Sequence, residues 1–240
     1  MSDEPSALEA YLLGRVGYDA LLAWQRRMVY DVGGERSRGL LALCEVDPVI
    51  SIGRAGSRED VRLEPRDLAS RGWNVKWVHR GGGTMLHVPG QVQVVAVLAL
   101  DTLGIGVTAY LEMLHDALLA AVQECEVRAE LRPGLPGVWA RGRQLAHVGI
   151  AVRDWVAHFG ATINVDPDLE LFRDVRCDGH ARPMTSIARE RHGPVRAALV
   201  RQRVVEAVAR QFGFTRTSVF HHHPSLTPAA VRADYFQRSA

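Results

Sequence analysis

Residues 138–165 read VWARGRQLAHVGIAVRDWVAHFGATINV, three β-compatible segments joined by two short polar turns. Residues 138–140, 145–152 and 155–165 alternate or run apolar, while Arg141-Gly142-Arg143 and Arg153-Asp154 interrupt them at hairpin spacing. The spacing predicts an antiparallel meander. Upstream, residues 92–100 are almost wholly apolar, as in a strand covered on both faces. Short runs at 40–44 and 49–52, parted by Asp47-Pro48, read as paired strands, and 74–78 as a further strand.

Helices are interleaved with these strands. Leu21, Trp24, Met28 and Val29 recur at helical spacing before the stop at Gly33-Gly34. Pro65 and Gly72 bracket a short helix, Thr108 reads as the cap of a long one through Val122, and residues 195–212 form a last amphipathic helix closed by Gly213. Hairpins mixed with a few helices, without a βαβ rhythm, predict an α+β domain with helices packed on a mixed or antiparallel sheet. The glycines at 81–83 lack the GxGxxG spacing and a following helix, so a dinucleotide fold is disfavoured.

At 240 residues the chain suits a single domain, 1–240, with about 214–240 as a C-terminal tail. A hydrophobic fraction of 47%, a charged fraction of 23% and a net charge of +2 without long charge runs exclude a disordered or membrane-spanning chain. They give no nucleic-acid or membrane footprint. Lys76 is the only lysine, so 28 of the 29 basic residues are arginine. The three scattered cysteines and an acidic amino terminus without an apolar core point to a cytoplasmic protein.

Two segments can carry chemistry. The first is RGGGTMLHVPGQ at 80–91, read as a loop, where Gly81, Gly82 and Gly83 let the backbone approach a ligand between Arg80 and His87. The second is DVRCDGHARPMTSI at 174–187. Arg176, His180 and Arg182 are sequence neighbours that would lower the Cys177 thiol pKa and favour nucleophilic attack on an acyl carbon. Cys44 and Cys125 fall on apolar elements and read as inert core thiols. His221-His222-His223 has no second ligand cluster at motif spacing and reads as part of a solvated tail, with no metal site.

Taken in order, the chain resembles the lipoate-biosynthesis octanoyltransferases. The resemblance rests on Leu13-Gly14-Arg15, on Cys44 to Val49 followed by Ile52-Gly53-Arg54, and on the 80–91 segment. It continues through Gly137-Val138-Trp139 and residues 142–149 against a G-x-K-I-(A/G)-(A/S)-(L/I)-G block. Gly160, Asn164-Val165, Asp168-Leu169, then Cys177 and Met184-Thr185-Ser186-Ile187, complete the series. This implies the biotin/lipoate protein ligase fold and a reaction moving an octanoyl group from octanoyl-acyl-carrier protein to a lysine of a lipoyl domain. The recipients would be lipoyl domains of 2-oxoacid dehydrogenases or the glycine cleavage protein. Cys177 would carry the acyl thioester, with no ATP or other cofactor and a monomeric enzyme. The substrate-binding segments fall on Arg80, Gly81, Gly82, Gly83, Thr84, Met85, Leu86 and His87, on His147, Val148 and Gly149, and on Gly160, Ala161 and Thr162.

One departure bears on mechanism: the family lysine falls on Gln144, which cannot carry charge or exchange a proton near neutrality. His87, His147 and His180 are candidate substitutes. His87 is preferred, because His147 lies three residues after Gln144 and so faces the opposite side of a strand. Asp178 intervenes between Cys177 and Gly179, and Met85, Leu86 and Val88 stand where the family pattern has a threonine, a tyrosine and a glycine, replacing them with bulkier or more apolar groups. The alternatives are an ATP-dependent lipoate or biotin ligase of the same fold, and a non-catalytic acyl- or carrier-binding relative.

Overall fold

The computed structural model describes residues 7–180 and 182–226. Eleven strands and five helices lie in this range: β1 Ala7–Val16, α1 Tyr18–Gly34, β2 Arg38–Val46, β3 Val49–Ile52, α2 Pro65–Ser70, β4 Asn74–Trp77, β5 Thr84–His87 and β6 Gln91–Ala99. These are followed by α3 Val107–Gln123, β7 Glu130–Arg132, β8 Leu135–Ala140, β9 Arg143–Arg153, β10 Val156–Asn164, α4 Ile187–Arg191, α5 Ala197–Gln211 and β11 Arg216–Phe220. The main sheet has the order β11-β1-β2-β6-β10-β9-β8-β7, and a small sheet has the order β4-β3-β5. The β1 pairings with β2 and β11 are parallel, whereas β2–β6–β10–β9–β8 run antiparallel, so the sheet is mixed.

The meander of residues 138–165 forms as the turn chemistry requires. Arg141 and Gly142 have φ of 48° and 78°, and Asp154 and Trp155 have 50° and 63°, the left-handed pairs that match hairpin twist. β6 is buried along its length because both faces are covered. Val92, Val94, Ala96 and Leu98 meet Tyr110, Leu114 and Leu118 of α3 and Val204 and Val208 of α5. Val95, Val97 and Ala99 join Leu21, Trp24 and Met28 of α1 on the opposite face. A third cluster beneath the small sheet gathers Ile50, Leu63, Trp73, Leu86, Phe172 and Cys177.

Four sequence expectations change. β2 and β3 do not pair but enter different sheets; Pro48, with φ held near −65°, cannot adopt the left-handed turn a tight hairpin needs. Within 80–91, Thr84–His87 forms β5 antiparallel to β3, since all four side chains are buried and the glycine signal belongs to the flanking turns. Helix α3 is capped by the Gly106 backbone, with Thr108 already inside it. Residues 216–220 are an edge strand parallel to β1, and Leu226 is buried against the α1 face, so backbone pairing holds part of the expected solvated tail. His223 packs edge-on to Tyr11 and Trp24, while residues 227–240 lie outside the described range.

The turn that delivers β6 to the site depends on Gly90. Its φ is +88°, and a Cβ there would stand 2.4 Å from the Asp166 carbonyl oxygen. Its own carbonyl accepts from Val165 and Asp166, and Gln91 bonds Asn164 at 2.8 Å. Gly90→Ala is expected to lower unfolding free energy by about 2 kcal/mol or more through strain and clash, read as a lower urea midpoint at unchanged m-value.

Candidate active site

The glycine loop is held by a buried cation. Arg80, 4% exposed, donates to Gly81 O at 2.9 Å, Gly83 O at 3.0 Å and Ser51 Oγ at 2.7 Å. Its guanidinium bonds the Gly81 carbonyl and joins the Gly53 N–H on the Gly83 carbonyl, so it organises the loop from within. The loop lies across β9: Gly81 N–H donates to Ile150 O at 2.7 Å, and Arg54 N–H and Ala55 N–H donate to Arg80 O and Gly82 O. Close approach requires small residues here. A Cβ on Gly83 would meet Asp178 Cα at 2.6 Å, and one on Gly149 would meet Gly81 O at 2.6 Å.

Between loop and sheet lies a narrow cavity of about 30 Å³, walled by Arg80, His87, His147, Gly149, Phe159 and Thr162, among others. Tyr18, Gln25 and Gln93 also reach it. No sequence signal marked those three; Tyr18 stands at the start of α1 and stacks on His87 at 5.3 Å. His87 Nε2 lies 2.7 Å from Ser51 Oγ, and Nδ1 lies 3.5 Å from Thr162 Oγ1. Burial first, then the charge of Arg80, keeps His87 neutral with its pKa well below the usual imidazole range. Of the predicted binding residues, Gly160 and Ala161 also line this cavity, while Met85 and Leu86 are buried in the small sheet with Thr84, whose hydroxyl bonds Asp60 at 2.9 Å. Val148 points into the main core.

Asp178 organises the centre. Its Oδ1 accepts from Gly83 N–H at 2.9 Å, and its Oδ2 accepts from Gln144 Nε2 at 2.9 Å and His147 Nδ1 at 2.7 Å. Burial would raise its pKa, but His147, Gln144 and the Gly83 amide outweigh that and hold the carboxyl well below the usual carboxylate range. Gln144 and His147 therefore reach one oxygen, contrary to the expectation that they face apart. The β8–β9 register slips by one residue, Val138 opposing Ala146 and Trp139 opposing Gln144, and this bulge re-aims the Gln144 side chain.

Cys177 opens the single 3₁₀ turn that carries Asp178. It lies outside the lining of the narrow cavity. Instead it lines a groove of about 420 Å³ with Arg62, Arg173, Arg176, Arg182 and Arg189 on its rim. The expected activation by sequence neighbours is overturned. Burial pushes the thiol up to about 12, and the Leu86 backbone hydrogen bond and Arg80 charge recover only part of that shift. Arg176 is tied to Asp60 at 3.0 Å, and Arg182 and His180 both pack on Trp139. Cys44 and Cys125 are buried free thiols, as expected. Lys76 pairs with Asp19 at 2.9 Å on the surface.

This arrangement, a mixed sheet with a glycine loop closed over its antiparallel half, is the fold of lipoate protein ligase catalytic domains. A T. acidophilum protein solved with bound lipoic acid superimposes with a TM-score of 0.69 at 16% identity over 90% of each chain. A lipoate-protein ligase A bound with ATP gives 0.65 at 16% identity, over 90% of this chain and 88% of that one. The chain belongs to the lipoyl protein ligase A/B catalytic domain family, whose model matches residues 18–209. It is 36% identical to the octanoyltransferase of Geobacter metallireducens over 84% of this chain and 90% of that protein. It is 33% identical to that of Xanthomonas euvesicatoria over 89% and 90%. A Porphyromonas gingivalis octanoyltransferase is 29% identical, and the match spans 43% of its length.

Two outcomes follow from the site. Because the folded Asp178 pKa is depressed, its stabilisation is present above the unfolded carboxylate range and is lost as pH falls through the folded value. Asp178→Asn is therefore expected to cost about 1–3 kcal/mol near neutral pH, and the gap to the parent should narrow in urea melts at pH about 3. Iodoacetamide should modify Cys177 far more slowly near neutrality than a solvated cysteine, as read by mass spectrometry of the tryptic peptide.

Proposed function

We propose that the chain transfers an octanoyl group in protein lipoylation through a thioester on Cys177, taking it from an acyl-carrier protein and delivering it to a lysine of a lipoyl domain. The reaction class rests on membership of the family and on the octanoyltransferases that it matches over most of their length. The observation that carries the assignment to this site is convergence on Asp178. The residue after Cys177 bonds Gly83 of the glycine loop and both Gln144 and His147 of β9, so segments about 95 residues apart meet at one turn.

The chemistry is thioester exchange followed by aminolysis. Cys177 sulfur bonds the acyl carbon as the carrier's phosphopantetheine sulfur leaves, and the lysine nitrogen then displaces Cys177. The acyl group arrives activated, so amide formation runs downhill without adenylation. The arginine-rimmed groove beside Cys177 suits approach of an acidic carrier. The narrow cavity beside His87 and Thr162 must widen to receive the acyl chain, and Leu22, Gln25 and Phe159 form the wall it shares with the open pocket beyond. An ATP-dependent ligase would not need the Cys177 sulfur, which separates that reading from this one.

Incubation with octanoyl-acyl-carrier protein and a lipoyl domain, without ATP, should give an octanoyl adduct on Cys177 by intact mass and then an octanoylated lipoyl lysine. Cys177→Ala should lose both. Absence of adduct and product at long times, with carrier binding intact, would leave a binding protein; ATP–pyrophosphate exchange in the presence of octanoate would indicate a ligase.

A further inference from the structure

His147 is 2% exposed, yet its Nε2 has no hydrogen-bond partner among the described residues. Its Nδ1 faces an ionised carboxylate oxygen at 2.7 Å, and a carboxylate can only accept, so Nδ1 carries the ring proton and Nε2 presents a bare lone pair. That lone pair has been left clear. A Cβ on Gly149 would stand 2.9 Å from Nε2, and one on Gly82 would stand 2.7 Å from the adjacent ring carbon Cε1. The ring forms part of the narrow cavity's wall. A carboxylate on Nδ1 with a free, sheltered Nε2 is the geometry by which an imidazole serves as general base.

We propose that His147, held by Asp178, is the proton acceptor and donor for acyl transfer in this chain, and that the pair does the work for which Gln144 lacks a charge. The proposal rests on the transferase reading above. Gln144 contributes by positioning: its Nε2 fixes Asp178 Oδ2, the oxygen that orients the imidazole. In the first half-reaction the S–H proton of Cys177 passes to His147 Nε2 as its sulfur bonds the acyl carbon, a step that requires the cysteine turn to bring the sulfur from its own groove to the narrow cavity. The bond from that carbon to the carrier sulfur breaks, and the imidazolium returns the proton to the departing thiolate. In the second, Nε2 takes a proton from the attacking lysine nitrogen as the C–N bond forms, and delivers it to the Cys177 sulfur as the C–S bond breaks. The octanoyl group moves from sulfur to sulfur to nitrogen with no change of oxidation state. His87 is less suited to this role, since Ser51 and Thr162 face its two nitrogens.

The groups that set the His147 proton affinity are Asp178 on the 3₁₀ turn, Arg80 in the loop, His87 on β5 and His180 beyond the turn. Burial is the largest influence and lowers it, Arg80 and His180 lower it further, and Asp178 raises it. His147 is accordingly neutral near pH 7, and the rate should fall only on the acid side as the ring protonates.

Steady-state transfer is measured from about pH 4 to about pH 8 in the parent, His147→Ala, Asp178→Asn and Gln144→Lys, with folding followed by circular dichroism. His147→Ala should lose about 10²–10⁴ in kcat, with carrier KM nearly unchanged and partial recovery on adding imidazole. Asp178→Asn should lower kcat and move the acid limb of kcat/KM to lower pH, a shift that a purely structural role would not produce. Gln144→Lys should gain less than about tenfold, because an ammonium there pairs with Asp178. The proposal is overturned if His147→Ala keeps the parental rate, if the acid limb does not move in Asp178→Asn, or if Gln144→Lys gains a hundredfold or more. Should His147→Ala fail to fold, the parental limb and Asp178→Asn decide. Acyl-Cys177 and product formation at the parental rate in the His147 and Asp178 variants sink only this inference; their absence in the parent sinks the transferase reading and this inference with it.

Discussion

A single buried carboxylate, Asp178, accepts hydrogen bonds from Gly83, Gln144 and His147 while sitting one peptide bond from Cys177. Those bonds join the glycine loop, strand β9 and the cysteine turn, which otherwise belong to different parts of the structure. An ionised group in so dry a place is tolerable only when its lone pairs are filled, and here they are filled by donors from distant segments. The backbone of Asp178 itself is left-handed, with φ of 52°, a conformation that Asp tolerates better than most residues. Loss of any partner leaves charge or amide unpaired, so the centre is cooperative in the sense that its members require one another.

Arg80 plays the corresponding role one layer out. The glycine loop has no side chains with which to hold itself, and its Gly81 and Gly83 carbonyls are organised by this guanidinium, which also bonds Ser51. A cation that an isolated reading of the loop assigns to a ligand is thus spent on the protein. The same tension governs Cys177. Its arginine neighbours in sequence turn outward to the groove rim or to Asp60, and the sulfur, packed among apolar side chains, rests as a thiol. The reactive form must be generated during the reaction, which places the demand on a proton acceptor rather than on a standing positive field.

The architecture was largely legible because it is written in local patterns. The apolar run of β6, the left-handed turn residues of the β8–β9–β10 meander and the helical spacing in α1, α3 and α5 each specify an element without reference to the others. Motif order along the chain likewise disclosed the family, since the blocks at 80–91, 142–149 and 177–187 keep their sequence signatures. Legibility failed where a partner strand supplied the pairing, as β3 does for Thr84–His87 and β1 for Arg216–Phe220. The strand alternation rule also failed at Gln144, because a bulge breaks the period on which it relies.

From the chain alone came the α+β class, the acyl-transfer family, Cys177 as the sulfur to watch and the missing charge at Gln144. These rest on residue identity and short-range spacing, which the polymer carries wherever it goes. Which groups share a proton, which arginine is consumed by its own loop, and whether a thiol is wet or dry depend on atoms brought together from far along the chain. Electrostatics and desolvation act over a few ångströms of space irrespective of separation in sequence, so only the folded molecule could assign Asp178 to His147 and leave Nε2 free.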